Sequence, residues 1–237
     1  MAKQFHIGHT GITWGYGLEQ VDTAVKEVAE LGYHAYETFG YTIEEYEQKK
    51  PDGFGALLAR NDIPLGSAYC PVRVIDPSQA GDAIEQVTRW AKLAESLGAT
   101  TIVLQAAGRR AAEPFTEFRA LAGVFSEIGR RVQDVGLIAA IHPHTGTLIE
   151  TREEIDAVMT SIDPKAVFFA PDTGQITKGG SNILDVLKTY GSLVRHMHLK
   201  DYGGGEVKRD EEGREIDPTG YAGYVPVGQG VVDMPAV

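Results

Sequence analysis

The sequence predicts an α/β fold, a (β/α)8-type TIM barrel occupying residues 1–237 as one domain, and three observations carry that expectation. Seven short apolar segments alternate with helix-patterned stretches at intervals of roughly 27 to 37 residues, the pattern of repeated βα units around a parallel sheet. No G-x-G-x-x-G follows the first strand, so the competing open, doubly wound sheet lacks its phosphate-binding turn. Polar residues close many strands rather than one switch point, as the mouth of a barrel requires.

Phe5 to Gly8 reads as the first strand and ends in His9, Thr10 and Gly11. Helix-spaced Leu18, Val21, Val25, Val28 and Leu31 follow, stopped by Gly32. Tyr33 to Thr38 alternates into Glu37 as the second strand, with residues 42–60 as its helix. Ile63 to Tyr69 is the third strand, and the Asp76-Pro77-Ser78 cluster opens a helix carrying Ile84, Val87, Ala91, Leu93, Ala94 and Leu97. Thr100 to Leu104 is rich in β-branched residues and ends at Gln105, after which Glu113-Pro114 starts the helix that runs to Val135.

Leu137 to His142 is the fifth strand, and Thr151-Arg152-Glu153-Glu154 is a capping-box-like helix start. Val167 to Ala170 forms the sixth strand and runs into Pro171-Asp172-Thr173-Gly174. Ile183 to Tyr190 is a short helix, and Leu193 to Leu199 is the seventh strand. A Gly-rich, charged segment from Asp201 to Gly230 follows, with no eighth strand before Val237. The barrel is therefore expected to lack its last strand, or to be truncated before it.

Composition limits the partners. With 22 basic and 33 acidic side chains the net charge is -11, and no long basic run is present to neutralise a phosphate backbone, which argues against nucleic acid. One cysteine, Cys70, excludes an internal disulfide framework and is most simply a buried thiol. Met1 to Gly17 is too polar for a signal peptide, and no apolar run approaches the roughly 20 residues that span a bilayer, so a cytoplasmic protein without a membrane partner is expected.

The strand ends carry His9, Glu37, Gln105, His142, His144, Glu150, Asp172, His196 and His198. A buried carboxylate or imidazole without a partner costs several kcal/mol, and one cation near the barrel axis compensates several together. A metal site is the inference. Glu150, Asp172 and His198 are the expected ligands, because they come from three successive strand ends and supply two carboxylates and an imidazole. Such ligation suits Mn²⁺ first, or Mg²⁺, Co²⁺ or Zn²⁺. His196 shares a face with His198 and is left to meet substrate, as are His9 and Glu37. Trp14, Tyr16 and Phe39 offer an apolar wall. Arg109 and Arg110 read as solvated loop charges, Lys200-Asp201 as a local ion pair at the rim, and Lys208 to Glu215 as an exposed loop, a lid or a subunit contact.

The runs H-P-H-T-G-T-L-I-E-T at 142–151, P-D-T-G at 171–174 and H-M-H-L-K-D at 196–201 resemble the xylose-isomerase-like barrel superfamily of sugar phosphate isomerases, epimerases and inosose dehydratases. The likeness spans nearly the whole chain and is closest to the inosose dehydratase and C-glycoside deglycosidase branch. It implies a metal held through Glu150, Asp172 and His198, while the family's fourth ligand, a glutamate on strand eight, has no counterpart here. Gln175 stands where many relatives carry a histidine on a substrate oxygen; an amide donates the same hydrogen bond but does not titrate. Gly204 stands where some ketose epimerases carry a substrate-binding arginine, so the dehydratases match better.

The implied chemistry is abstraction of a proton alpha to the carbonyl of a keto sugar or cyclitol. A divalent ion chelated by that carbonyl and a neighbouring hydroxyl acts as Lewis acid. His144 or His142 is the expected base, since neutral imidazole has a pKa close to working pH. Loss of a β-substituent gives dehydration or glycosidic cleavage, and reprotonation gives isomerisation or epimerisation. Two rivals are a metal-dependent endonuclease for abasic DNA, which the negative charge disfavours, and a non-catalytic sugar-binding subunit. A homo-oligomer or a complex with a partner subunit is also expected.

Overall fold

Six strands, β1 (Gly8–Thr10), β2 (Ala35–Phe39), β3 (Leu65–Arg73), β4 (Thr101–Ala107), β5 (Ile138–Ile141) and β6 (Val167–Phe169), pair in parallel in strict sequence order. The structure, a computed structural model, describes residues 5–73, 77–108, 115–211, 215–216 and 223–237. Asp76, Glu113-Pro114 and the pair Arg109 and Arg110 lie outside the described residues.

Side-chain alternation along these strands builds two separate cores. Tyr36, Leu65, Ile102, Leu104, Ile141, Val167 and Phe169 face the helices, α1 (Leu18–Glu30), α2 (Gly40–Lys49), α3 (Gly53–Arg60), α4 (Ala80–Ser96), α5 (Phe118–Asp134) and α6 (Arg152–Met159), and join one large buried cluster with them. The intervening residues Tyr69, Val103, Ala140 and Ala170 form a second cluster, with Phe39 and Phe168 against it. This second cluster is the barrel interior. The same alternation, within β2 and β4 and carried past the ends of β5 and β6, places Glu37, Gln105, His142 and Asp172 on the inner side.

The expected single helix over residues 42–60 is two. Pro51 forces extended backbone on Lys50 (φ -104, ψ 127), and Gly53 at φ 70 turns the chain into α3. The capping box before α6 is present: the Thr151 hydroxyl accepts from Glu154 N–H, and the Glu154 carboxylate accepts from Thr151 N–H at 2.9 Å. A short helix after the sixth strand, α7 (Thr173–Lys178), was not expected, whereas α8 (Ile183–Tyr190) has the limits read from the sequence.

The seventh strand differs from expectation. Residues 194–198 run alongside β6 and its extension, joined by isolated parallel bridges, Phe169 to Val194 and Asp172 to His198. The chain then forms a separate antiparallel pair, β7 (Asp201–Tyr202) with β8 (Tyr224–Val225). Among the described residues no further parallel strand joins the sheet.

Asp201 explains the antiparallel pair. Its buried carboxylate accepts backbone N–H bonds from Tyr202, Gly228 and Gly230 at 2.9 Å and from Val232 at 3.2 Å. A Cβ on Gly230 would lie 2.2 Å from this carboxylate, so only glycine permits the approach. The expected pair between Lys200 and Asp201 is thereby corrected: the aspartate is drawn inward by amide donors, and Lys200 turns elsewhere. Burial opposes the charge on Asp201, and the four N–H donors more than offset it, holding the carboxyl below its usual pKa.

A depressed folded-state value means that the stabilisation is complete above the ordinary carboxylate pKa and is lost as pH falls through the depressed one. In an acid titration, the amide NMR signals of Gly228 and Gly230 are expected to move together with a midpoint below the ordinary value of about 3.9. Asp201→Asn should abolish the transition. A midpoint at or above the ordinary value would refute the clamp.

Candidate metal centre and active site

Strand ends β5 and β6 and the ribbon beside them bring His142, Asp172 and His198 together, each offering one ligand atom within 4.8 Å of the others. Glu37, His196 and His198 form a second group of the same kind, so His198 belongs to both. The expected ligand set is thus assembled in part. Asp172 and His198 meet, but the third member is His142, which follows β5 directly.

Glu150 lies eight residues farther on, beyond the turn that Gly146 makes at φ 76. Its carboxylate folds back to accept Gly146 N–H at 2.7 Å and pairs with Arg209. A carboxylate so engaged stands outside both groups. Two residues of the segment expected as an exposed loop are thus tied inward, Arg209 to Glu150 and Glu215 to the buried Lys178 at 2.5 Å.

The polar atoms at the centre are what a cation needs. Asp172 is fully buried; Oδ1 accepts Gln175 N–H at 2.8 Å, while Oδ2 has no hydrogen bond among the described residues. Lys200 Nζ lies 3.4 Å from that oxygen. Glu37 Oε1 and His198 Nε2 are also buried without a hydrogen bond of good geometry, although they lie 2.9 Å apart as a charge pair. His142 Nδ1 faces the Ala170 carbonyl at 3.2 Å, which places the proton on Nδ1 and leaves Nε2 as a free lone pair. Two imidazoles and a carboxylate with an unused oxygen fit a divalent ion with mixed nitrogen and oxygen preference.

Glu37 supports this group from across the mouth. Its Oε2 accepts from Ser67 Oγ at 2.5 Å and lies 3.2 Å from His196 Nε2. Burial works to raise the Glu37 pKa, but His198 and His196 hold it well below the usual range. In turn, burial opposes charge on His198, and Glu37, then Asp172, outweigh it and raise its pKa. Holding Nε2–H toward Glu37 turns the other ring nitrogen, Nδ1, to the Asp172 side, where Oδ2 is 3.9 Å away.

His144 is locked differently. Its Nδ1 donates to the Thr145 carbonyl at 2.7 Å, so Nε2 accepts from the Gln175 amide nitrogen at 2.8 Å. Gln175 Oε1 accepts from Thr145 N–H and Oγ1, which fixes the amide the same way round. Burial pushes the His144 pKa down to about 4, and burial together with the charge of His198 lowers that of His142 well below the ordinary value. Both rings are neutral at working pH.

The remaining candidates are more scattered. His9 pairs in register with Tyr36 and shares its helix-facing side, against Trp14 at 5.2 Å and Tyr33 at 5.1 Å. Burial lowers its pKa. Trp14 donates its indole N–H to Glu27 and packs on the same side, away from the cluster. Gln105 stands half-buried on β4, in register with Pro71. Cys70 is buried.

Residue-level reading missed Tyr69, Lys200 and Tyr224. Tyr69 stacks on His198 (6.1 Å, 16°) and stands edge-on to His142 at 5.3 Å, forming the floor of the site. Its signal was the alternation of Ser67, Tyr69 and Pro71 with the outward Ala68 and Cys70. Lys178 and Lys200 each place Nζ 4.7 Å from the Tyr224 ring, an arrangement that no local spacing announces.

The sequence profile of the xylose isomerase-like TIM barrel family matches residues 25–237. An inosose dehydratase of Geobacillus kaustophilus is 30% identical over 218 residues, covering 83% of this chain and 69% of that protein. Alignments with inosose dehydratases of Clostridium perfringens span 33% of their length. Among solved structures, the probable 3-DHS dehydratase AsbF of Bacillus anthracis superposes with a TM-score of 0.76 at 16% identity, covering 98% of this chain and 86% of that one. The IolI protein with a bound zinc atom gives 0.73 at 16% identity, covering 98% and 82%. At such identities these two structures speak for the fold.

Proposed function

This chain belongs to the xylose isomerase-like TIM barrel family and is an enzyme acting on carbohydrates, and we propose that it abstracts a proton alpha to the carbonyl of a keto sugar or cyclitol and then eliminates a β-substituent. The observation that carries this reading is the convergence of His142, Asp172 and His198, with a buried Asp172 oxygen left without a hydrogen bond. Those three residues would hold a divalent ion, Mn²⁺ foremost, and the bound ion supplies Lewis acidity toward the substrate carbonyl. The dehydratase relatives support elimination as the outcome.

The residues of the chain do the rest. Ala170 and Glu37 orient His142 and His198 by holding one ring nitrogen of each. His144, kept neutral by burial, takes the substrate proton on Nε2 once the Gln175 amide shifts from that nitrogen to a substrate oxygen. The electron pair of the broken C–H bond becomes the new double bond, and the β oxygen leaves as a hydroxyl after taking a proton from water at the open mouth. Tyr69 closes the floor against water.

Product analysis tests the proposal. Metal-loaded protein is incubated in deuterated water with inosose, a 3-oxo-glycoside and a free ketose. Loss of the β-substituent from one of the first two, abolished by a chelator and restored by Mn²⁺, is expected. Deuterium incorporation with the β-substituent retained would identify an isomerase or epimerase instead.

A further inference from the structure

The mouth has two unlike walls. Toward residues 201–225 it carries Lys178, Lys200 and the Tyr224 ring between them. Toward β1 and β2 it is aromatic. Phe39 ends β2 on the inner face and meets Tyr69 edge-on at 5.3 Å, and Tyr69 in turn stacks on His198. Outward from Phe39, Tyr41 stacks on it at 4.9 Å and 17°, and Tyr16 lies at 5.8 Å. Trp90 supports Tyr41 from behind at 6.4 Å. Despite these contacts Tyr16 remains 57% exposed and Tyr41 40% exposed.

We propose that Tyr16, Phe39 and Tyr41 are a ring-binding subsite for the leaving group, so that the substrate is a 3-oxo-glycoside, a keto sugar joined to a second ring, and not a free keto sugar or cyclitol. The inference rests on the elimination proposed above. In that reaction the proton leaves C2 beside the C3 carbonyl, the C1–C2 double bond forms, and the C1–O bond breaks toward the departing hydroxyl, which takes a proton. The departing group is therefore attached two carbons from the carbonyl carbon held at the centre, and a second ring there extends one ring beyond the reacting one.

The aromatic array begins one ring beyond the cluster, at Phe39, and continues unbroken to solvent. Flat faces of this kind bind the CH face of a sugar or an aryl ring by stacking, with the tyrosine hydroxyls left for polar contacts. A cyclitol has its hydroxyls on the reacting ring and nothing to lay on this wall.

The test compares one-ring and two-ring substrates in the double variant Tyr16→Ala/Tyr41→Ala, with Mn²⁺ present. For phenyl 3-oxo-glucoside and a 3-oxo-disaccharide, kcat/KM is expected to fall about tenfold or more, mostly through KM, with inosose changed by less than about twofold. A larger loss on the phenyl compound assigns an aryl leaving group, and a larger loss on the disaccharide assigns a sugar. Equal losses on one-ring and two-ring substrates, or no loss on the latter, overturn the subsite.

Calorimetry with phenyl β-glucoside, which has no keto group and does not react, separates this inference from the one beneath it. If no substrate is turned over, the elimination reading fails alone. Binding of the glucoside that weakens in the double variant still supports the subsite, and binding that is absent or unchanged overturns it.

Discussion

Asp172→Asn protein is expected to bind Mn²⁺ about 100-fold or more weakly than wild type, beyond the range of about 10–100-fold that follows loss of a supporting partner. The asparagine keeps an acceptor for Gln175 N–H at the start of α7, so the helix cap survives and the change isolates the charge and the unused Oδ2. Thermal shift with and without metal gives the readout independently of turnover: wild type should gain stability with added Mn²⁺, and the variant should not. Glu150→Ala is the informative control. Glu150 is bonded to Gly146 and Arg209 and lies outside the converging group, so its loss should change metal affinity by less than about tenfold, the lower end of that supporting range. Equal damage from the two substitutions would place Glu150 among the ligands and sink the set of His142, Asp172 and His198.

Phe125→Ala should cost about 3–5 kcal/mol of folding stability, a large share of the roughly 5–15 kcal/mol by which domains are stable. Phe125 is fully buried on α5. That helix presents Leu121, Phe125, Ile128 and Val132 to the sheet at helical spacing, and Gly129 lets it approach so closely that a Cβ would stand 2.4 Å from the Ala166 carbonyl. Backbone held this near cannot collapse into the space a phenyl ring vacates, which is why the cavity cost is large. Phe125→Leu, which keeps most of the volume, should cost less than about 1.5 kcal/mol. Urea denaturation checks both, and an alanine penalty below the leucine one would contradict the packing described.

The order of the first six strands was legible because each carries its own alternation and its own stop signal. The two-layer division into outward Leu104 and inward Val103 follows from period two alone. What was not legible depended on contacts distant in sequence. Glu150 and His142 both offer ligand chemistry in the sequence; His142 stands in the converging group, while Glu150, beyond the turn at Gly146, pairs with Arg209. Asp201 looked like a rim charge because its four amide donors come from residues 202 to 232, in a segment without hydrophobic periodicity. The division of α2 from α3 was readable in Pro51 and Gly53, but the apolar spacing of residues 42–60 overrode it. His9 ended a strand as the candidates did, yet register with Tyr36 turned it to the helical side.

Glu37 stands on β2, one strand from the sheet's first margin, while His196 and His198 lie past its last strand, β6. Their pairing is a clasp made of side chains, spanning a gap that no main-chain hydrogen bond closes among the described residues. The same His198 that offers a ligand atom to the centre therefore also ties the first strands of the sheet to the residues beyond its last.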